Sequence, residues 1–250
     1  MNNNKDKKFY FLLIEISSYL NLRNKLKWVE IGCGNGNFVN FLLKNNKKCI
    51  GIDVEFKVGP YREKLIRSKY IKKISSPNNN RDDINENNKK YKWPINKETT
   101  ELAFSSSVLE HVKNLREFAS ENSRILIKGG YSIHYFPCRL AIFEAHTGIP
   151  LGGIFINKTY YRFMIFLGLC RKNFKNTNDA YQYMKKSTNY LKKSEIIKIF
   201  SEFNLIFLGA RNDLIIKHVG PKFYKNFAKI NFIVFLFGIF RSRLLIFKKI

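Results

Sequence analysis

Three glycines at alternate positions, followed at a distance by an aspartate, are the residues of this sequence best suited to chemistry. Residues 28–36 read Trp-Val-Glu-Ile-Gly-Cys-Gly-Asn-Gly, so a short apolar run ends in Gly32, Gly34 and Gly36. A second apolar run ends at Asp53, 21 residues after Gly32. Because glycine lacks a Cβ, such a turn lets the main chain approach a ligand closely. An acid at the end of the next strand lies where a ribose diol would be bound. The pattern therefore predicts a site for a nucleoside-containing cofactor.

The spacing of these glycines differs from that of a dinucleotide-binding turn. That fingerprint is Gly-x-Gly-x-x-Gly with the pyrophosphate at a helix N-terminus, whereas here Asn37 occupies the place of the third glycine. Glu30, inside the first predicted strand, would repel a pyrophosphate but suits a cofactor that carries an ammonium group and a sulfonium. A nicotinamide oxidoreductase is therefore disfavoured. The pattern Glu-x-Gly-x-Gly-x-Gly followed by an acid resembles the first motif of class I S-adenosylmethionine-dependent methyltransferases.

This resemblance implies roles for the residues of the motif. In that family the glycine turn contacts the amino-acid part of the cofactor, and the acid after the second strand binds the ribose hydroxyls. The cofactor-binding residues implied for S-adenosyl-L-methionine are Glu30, Gly32, Cys33, Gly34, Asn35, Gly36 and Asp53. The family often places adenine contacts in the region that corresponds to residues 76–98, where Asp82 or Asp83 could serve.

Three further segments extend the resemblance over roughly residues 26–155. Residues 101–112 (Glu-Leu-Ala-Phe-Ser-Ser-Ser-Val-Leu-Glu-His-Val) are similar to the fourth strand and following turn of many small-molecule methyltransferases. Residues 124–133 resemble the family's helix end, Gly-Gly turn and fifth strand. Residues 136–153 are similar to a bacterial subgroup with Glu-Pro-His and Pro-Leu-Gly-Gly, although Ala145 replaces the proline. The resemblance implies methyl transfer to a small-molecule, sugar or lipid-linked acceptor.

Several acid–base side chains lie near the expected acceptor site. Methyl transfer from a sulfonium is an in-line displacement, so positioning supplies much of the rate, and a base is needed only where the acceptor must lose a proton. Weak candidates for that base are Glu110, His111 and His146, with Glu144 beside the last of them. Glu110 and His111 could equally fix their turn by hydrogen bonds. Strand alternation makes His134 an ordinary strand residue, so the catalytic residue stays unassigned.

Composition restricts the class of protein and its partners. With 250 residues, 45% hydrophobic and 15% aromatic, the chain can bury the core of one α/β domain and is not disordered. Four cysteines without a Cys-x-x-Cys pair predict a reduced, cytoplasmic protein with no metal site. The net charge of +26 reflects either compositional bias or an anionic partner, nucleic acid or membrane. Its lysines are scattered, so a basic RNA-binding or RNA-modifying protein with the same fold is the alternative function rather than the favoured one.

Alternating apolar strands and amphipathic helices predict a single domain of the α/β class. The expected architecture is a Rossmann-like doubly wound sheet, mostly parallel with a C-terminal antiparallel strand, with helices on both faces. The predicted parts are an N-terminal helix (1–25), a cofactor-binding core (26–136), a substrate-recognition elaboration (137–193) and the C-terminal part of the sheet (194–250). The predicted strands are 27–32, 49–53, 70–74, 101–106, 131–136, 205–208 and 244–248.

The C-terminal segment carries both apolar and basic residues. The run from Ile230 to Phe240 is almost wholly apolar, yet far shorter than the ~20 residues that a bilayer span needs. After Asp213 the sequence contains lysines and arginines but no acidic residue, so this tail could lie on an anionic membrane surface. The pattern favours instead a buried helix followed by the last, antiparallel strand. We therefore predict a cytoplasmic protein, with peripheral contact to the inner membrane surface as the alternative.

Overall fold

One mixed sheet organises the protein in a computed structural model that describes residues 3–22, 27–74, 92–172, 174, 176–220 and 222–250. Within these residues the strand order is β3-β2-β1-β4-β5-β7-β6. Strand β7 runs opposite to the other six, which all point in the same direction. The strand order reverses between β1 and β4, which opens a crevice at the carboxyl ends of the strands. The predicted Rossmann-like fold class is confirmed. The strands are β1 (Lys27–Ile31), β2 (Cys49–Asp53), β3 (Ile71–Lys73), β4 (Thr100–Ser106), β5 (Leu126–Pro137), β6 (Leu205–Ala210) and β7 (Ser242–Lys249).

Helices cover both faces of this sheet, because successive strand side chains point to opposite sides. In β1, Trp28 packs into the core under α1, α2 and α8, whereas Val29 packs into the core under α4 and α7. Each face thus has its own hydrophobic core, as a doubly wound sheet requires. The helices are α1 (Asn3–Tyr19), α2 (Asn37–Lys44), α3 (Arg62–Arg67), α4 (Leu115–Ile125), α5 (Lys158–Phe166), α6 (Thr177–Ser187), α7 (Lys193–Ser201), α8 (Asn212–His218) and α9 (Asn231–Phe240).

Strand β5 begins five residues before its predicted start, and the predicted Gly-Gly turn is a bulge inside it. Leu126 pairs with Thr100 and Tyr131 pairs with Leu102, so β5 has three more residues than β4 between these two pairs. Gly129 has a φ of +80°, a left-handed conformation that glycine adopts without steric cost. The glycines therefore bend the strand instead of ending it.

A third hydrophobic cluster lies outside the two sheet cores, in the segment between β5 and α7. Its buried members are Ile149, Tyr161, Ala180 and Met184, which come from one loop and from helices α5 and α6. The Tyr161 hydroxyl donates to the main-chain oxygen of Gly152 at 2.9 Å and so fixes α5 to that loop. This segment therefore packs largely on itself.

Helix α9 lies at the surface, so the prediction of a buried C-terminal helix is wrong. Phe232, Phe235 and Phe240 are 68%, 61% and 43% exposed, and Gly238 is the buried residue of the helix. A Cβ at Gly238 would lie 2.1 Å from Asn212 Nδ2. Helix α9 therefore contacts α8 at its glycine, where α9 has no side chain to separate the two helices. The predicted last antiparallel strand is confirmed as β7. Among the described residues, no helix combines the length and the apolar character needed to cross a bilayer.

Candidate functional site

A cavity of about 360 Å³ opens at the carboxyl ends of β1, β2 and β4. This is the crevice at which ligands bind in open α/β sheets. Two of the predicted cofactor residues, Gly32 and Asp53, line the cavity. Its remaining wall is mostly apolar and comes from the ends of β1, β2 and β3, the segment before β4, and the turn and helix after β4. These residues are Ile31, Val54, Ile74, Trp93, Val108, His111, Val112, Lys113, Asn114, Glu117 and Phe118.

Asp53 holds the glycine turn directly. Its Oδ2 accepts a hydrogen bond from the main-chain N–H of Gly34 at 2.7 Å, and its Oδ1 accepts from Glu55 N–H at 3.2 Å. Gly34 has a φ of +56°, and a Cβ built on it would meet only Lys57 Cδ, at 3.9 Å. A carboxylate has about four lone-pair positions, so Asp53 can still accept hydrogen bonds from a ribose diol.

The residues between these glycines shape the turn by different means. Cys33 is buried, and burial raises the pKa of its thiol well above the usual range, so its side chain serves packing. The Asn35 side-chain oxygen accepts from Asn37 N–H at 3.1 Å and tightens the turn. Gly36 precedes α2 with a φ of +75°. Cys33 and Asn35 can therefore contribute only their main chain or their turn-forming contacts, and their place among the cofactor contacts stays a prediction.

Glu30 is a buried carboxyl beside this turn. Its Oε2 has no hydrogen-bond partner among the described residues. Burial, reinforced by the negative charges of Asp6 and Asp53, raises the pKa of Glu30 to about 8. Such a group is costly unless a cation or donor satisfies it. An ammonium group is suited to do so, and in this respect the site fits S-adenosylmethionine.

Trp93 and Phe118 supply an aromatic wall that the sequence did not reveal. Their ring centroids are 5.3 Å apart at 78°, and both line the cavity. The Glu121 carboxylate accepts from Trp93 N–H at 2.6 Å, while Arg124 donates to Trp93 O at 3.0 Å, so the tryptophan is held firmly. A tryptophan at the end of an Asn- and Lys-rich run was the available signal. The predicted adenine contacts, Asp82 or Asp83, lie outside the described residues.

The three weak catalytic candidates come together next to this cavity. Glu110 and His111 form a 3₁₀ turn after β4, and His111 lines the cavity. Glu110 Oε1 lies 3.9 Å from Nε2 of His111 and 3.9 Å from Nε2 of His146, and the two imidazole centroids are 4.8 Å apart. The sequence separates His146 from the other two by more than 30 residues. Their convergence is a product of the tertiary structure.

Burial shifts the titration of two members of this cluster. It raises the pKa of Glu110 to about 8, with the main-chain amide of the residue opposing the shift and Glu144 adding to it. Burial also lowers the pKa of His146, opposed by the carboxylate of Glu144 and assisted by the positive charges of His111, Arg171 and Lys57. At neutral pH the imidazole of His146 is therefore neutral, the form that can accept a proton.

Glu144 anchors the loop that carries His146. Its Oε2 accepts from the main-chain N–H groups of His146 and Thr147, at 2.9 and 2.6 Å, and from the Thr147 hydroxyl at 2.8 Å. Its Oε1 accepts from the Tyr190 hydroxyl at 2.5 Å. Because these hydrogen bonds occupy both oxygens, Glu144 positions the loop rather than acting as a free base.

His134 lies in the sheet interior, as strand alternation predicts. Its ring is fully buried among Ser105 Oγ at 2.8 Å, Ser132 Oγ at 2.6 Å and Asn122 Nδ2 at 3.1 Å. Burial lowers the pKa of His134 to about 3, so the imidazole is neutral. It belongs to a buried polar network and not to the cavity wall.

Comparison with known proteins agrees with this fold. A family model described as a methyltransferase domain matches residues 6–205. No curated protein matches the sequence significantly. An S-adenosylmethionine-dependent methyltransferase from Mesorhizobium loti is similar in structure, with 12% identity, a TM-score of 0.51, and coverage of 90% of this chain and 91% of that chain.

Two ligand complexes are also similar in structure. Phosphoethanolamine N-methyltransferase 2 from Haemonchus contortus, in complex with S-adenosyl-L-methionine, has 10% identity and a TM-score of 0.52, over 96% of this chain and 52% of that chain. Geranyl diphosphate methyltransferase in complex with S-adenosylmethionine has 14% identity and a TM-score of 0.51, over 98% and 85%. At such low identity these likenesses show the shared fold.

A doubly wound sheet with a glycine turn and a cavity at its switch point, together with the family match, defines a class I S-adenosylmethionine-dependent methyltransferase. The chain belongs to the methyltransferase domain family. It is an enzyme whose cofactor is S-adenosyl-L-methionine.

Proposed function

We propose that this methyltransferase acts on a small-molecule acceptor bound between the turn after β4 and the segment 137–193. One observation carries the proposal: the segment brings His146 and the main chain at the end of α6 against Glu110 and His111, and His111 lines the cavity. Ser187 O accepts from His111 Nδ1 at 2.5 Å, and Asn189 N–H donates to Glu110 O at 2.5 Å. An acceptor there would be enclosed by packed side chains, which favours a compact group over a folded macromolecule.

The cofactor, when bound, supplies an electrophilic methyl group on a sulfonium. In the proposed arrangement, Asp53 binds the ribose hydroxyls and Glu30 faces the ammonium group. The main chain of the glycine turn lies along the amino-acid part, while Trp93 and Phe118 pack against the adenine. These roles rest on the cavity lining, the Asp53–Gly34 hydrogen bond and the buried Glu30, whose Oε2 lacks a hydrogen-bond partner in the part of the chain that the structure describes. The protein contributes positioning, which is the principal requirement of an in-line displacement.

His146 is the proposed base for an acceptor that must lose a proton. Its Nε2 has no hydrogen-bond partner among the described residues, and its imidazole is neutral at pH 7. The Tyr183 hydroxyl lies 3.3 Å from its Nδ1 and orients the ring. A hydroxyl acceptor would pass its proton to Nε2 as the new bond to carbon forms and the carbon–sulfur bond breaks. An ammonium acceptor would give up its proton to Nε2 first, because its nitrogen has no lone pair for the attack until then.

A lipid-linked acceptor is the second candidate, and an exposed apolar patch favours it. Ile142, Phe143 and Phe240 are exposed, and the Ile142 N–H donates to Phe240 O at 3.0 Å, so the two segments are adjacent. The exposed basic residues Arg139 and Arg241 flank them. An apolar patch with basic neighbours suits the surface of an anionic membrane. Ile142 and Phe143 of this patch belong to the same segment as His146, so a group carried on a lipid could reach the proposed acceptor site.

The class of acceptor can be tested with S-adenosylmethionine labelled on its methyl group. The protein is incubated with separated small-molecule, lipid and RNA fractions of a cell extract, and the label is followed into each fraction. We expect label in the small-molecule or the lipid fraction, and much less of it with the variant Asp53→Ala at the same concentration of S-adenosylmethionine. Label confined to RNA would overturn the proposal in favour of an RNA-modifying enzyme, and binding of that RNA should weaken steeply with salt.

The apolar patch needs its own measurement. Co-sedimentation with anionic vesicles is compared between the wild type, the double variant Ile142→Ser/Phe143→Ser and the control Val58→Ser, which changes an exposed residue elsewhere. The double variant should lose vesicle binding, and the control should keep it. Equal sedimentation of all three proteins would exclude a membrane role for this patch.

A further inference from the structure

The cluster of Glu110, His111 and His146 has the composition of a metal site. One carboxylate oxygen and one nitrogen from each imidazole all lie within 4.8 Å of one another. From this geometry we infer that the three side chains bind a divalent transition-metal cation beside the cofactor cavity. The inference departs from the prediction of no metal site, which rested on the cysteines. It rests on the geometry of the side chains and does not require the proposed acceptor. Because Nε2 of His146 has one lone pair, a bound cation would exclude this imidazole as the base, so the two roles of His146 are alternatives.

The ligand atoms of the cluster are buried and lack other partners. The Glu110 side chain is fully buried, and neither of its oxygens receives a hydrogen bond from another described residue. His146 Nε2 is likewise buried and without a hydrogen-bond partner in the described part of the chain. Polar atoms left in this state are costly, and a cation coordinated by all three groups would satisfy them together.

The imidazoles are oriented as ligating histidines usually are. His111 Nδ1 lies 2.5 Å from Ser187 O, and a carbonyl oxygen only accepts, so Nδ1 carries the hydrogen. The lone pair of His111 is therefore on Nε2, the nitrogen that lies 3.9 Å from Glu110. His146 can adopt the same tautomer by donating from Nδ1 to the Tyr183 hydroxyl, 3.3 Å away. Such outer hydrogen bonds commonly fix the tautomer of metal-binding histidines.

The separation of the ligands fits a cation after a small inward movement. Bonds of about 2.0–2.2 Å place tetrahedral ligand atoms roughly 3.3–3.5 Å apart. The two carboxylate–imidazole pairs observed at 3.9 Å would have to close by about half an ångström, and the imidazole–imidazole pair, which lies within 4.8 Å, by up to about 1.4 Å. Two imidazoles with one carboxylate suit Zn²⁺, Fe²⁺ or Co²⁺ better than Mg²⁺ or Ca²⁺. Three protein ligands leave a position open toward the cavity that His111 lines.

Neighbouring charges set the expected affinity. The negative charge of the buried Glu144 carboxylate lies near Glu110 and favours the binding of a cation. The positive charges of Lys57 and Arg171 act on His146 and disfavour it. Both basic side chains are exposed, so solvent screens them more than it screens the buried acid. We expect an exchangeable ion, not a permanently bound structural one.

Metal binding can be measured without cofactor or acceptor. The full-length protein is treated with a chelator and titrated with Co²⁺, whose visible absorption reports imidazole coordination, and Zn²⁺ is then added as a competitor. We expect one equivalent to bind, with Zn²⁺ displacing Co²⁺. Glu110→Gln and His146→Asn should each weaken binding by more than about 100-fold, beyond the 10–100-fold typical of outer-shell changes.

Two further variants keep the test decisive. His218→Asn removes an imidazole that pairs with Glu15 outside the cluster, and this control should bind Co²⁺ as the wild type does. Tyr183→Phe retains the three ligands and should weaken binding about tenfold, as an outer-shell change does, even if a ligand variant fails to fold. The absence of saturable Co²⁺ binding, or equal affinity in wild type, Glu110→Gln and Tyr183→Phe, would overturn the inference. Neither result would touch the assignment of the acceptor.

Discussion

Replacing Asp53 by alanine removes a carboxylate that both contacts the glycine turn and lines the cavity. In the wild type its Oδ2 holds Gly34 N–H at 2.7 Å, and the side chain lines the cavity. The variant loses the proposed acceptor for the ribose hydroxyls and releases the glycine turn, which we propose to lie along the amino-acid part of the cofactor. Both effects weaken the binding of S-adenosylhomocysteine.

The expected size of this effect follows from the kind of hydrogen bond that is lost. A hydrogen bond to a charged acceptor contributes about 1.5–3 kcal/mol. We therefore expect the dissociation constant of S-adenosylhomocysteine to rise roughly 10- to 150-fold. Asp53→Asn should fall between alanine and the wild type, because its amide oxygen can accept from Gly34 or from the ribose while its NH₂ cannot.

Isothermal titration with S-adenosylhomocysteine measures the loss. Asp179→Asn, an exposed acid in the first turn of α6, is the matched control and should bind as the wild type does. Thermal unfolding of each variant shows whether the fold is retained. Equal affinity of folded Asp53→Ala and wild type would refute the assignment of Asp53 to the ribose.

Three further predictions concern the buried groups of the site and the sheet. The raised pKa of Glu30, about 8, means that the folded state keeps a proton that the unfolded state loses above about pH 4.5. The free energy of unfolding should therefore fall from pH 5 to pH 8 more steeply in the wild type than in Glu30→Gln. The lowered pKa of His134, about 3, has the opposite sign, because the unfolded state takes up a proton below about pH 6.5. Stability should fall as the pH drops from 6.5 toward 3, and His134→Gln should reduce this slope. Trp93 lines the cavity whereas Trp28 lies in a sheet core, so S-adenosylhomocysteine should change the tryptophan fluorescence of the wild type but not of Trp93→Phe.

Urea unfolding at several pH values tests the first two predictions, and fluorescence titration tests the third. Identical pH slopes in wild type and Glu30→Gln would show that this carboxyl is solvated in the folded protein. The same result for His134→Gln would place its imidazole in contact with water. A fluorescence change retained in Trp93→Phe would contradict the proposed contact between the adenine and Trp93.

The fold class was predictable because its signals are local in the sequence. The apolar run that ends in Gly32 and the run that ends at Asp53 each specify a strand and its turn without knowledge of distant contacts. The bulge in β5 was not predictable, because Gly129 reads equally as a turn or as a bend within a strand. The exposure of α9 was missed for a similar reason, since apolar content alone does not reveal which neighbour covers a helix.

The candidate site was predictable in its glycine turn and not in its assembly. Glu110, His111 and His146 could be named from the sequence, but their meeting depends on how the segment 137–193 folds back onto the turn after β4. The contact from His111 to Ser187 joins residues 76 positions apart. Trp93 follows the Asn- and Lys-rich run, and no periodic pattern assigns it to the cavity wall.

The separate core of the segment between β5 and α7 has a consequence for how related enzymes could diverge. Ile149, Tyr161, Ala180 and Met184 pack with one another and not with the two sheet cores. Under the proposed acceptor site, mutations there would reshape what the enzyme recognises while the nucleoside pocket keeps its form. Natural selection could therefore exchange one substrate for another within this architecture without first rebuilding the machinery that delivers the methyl group.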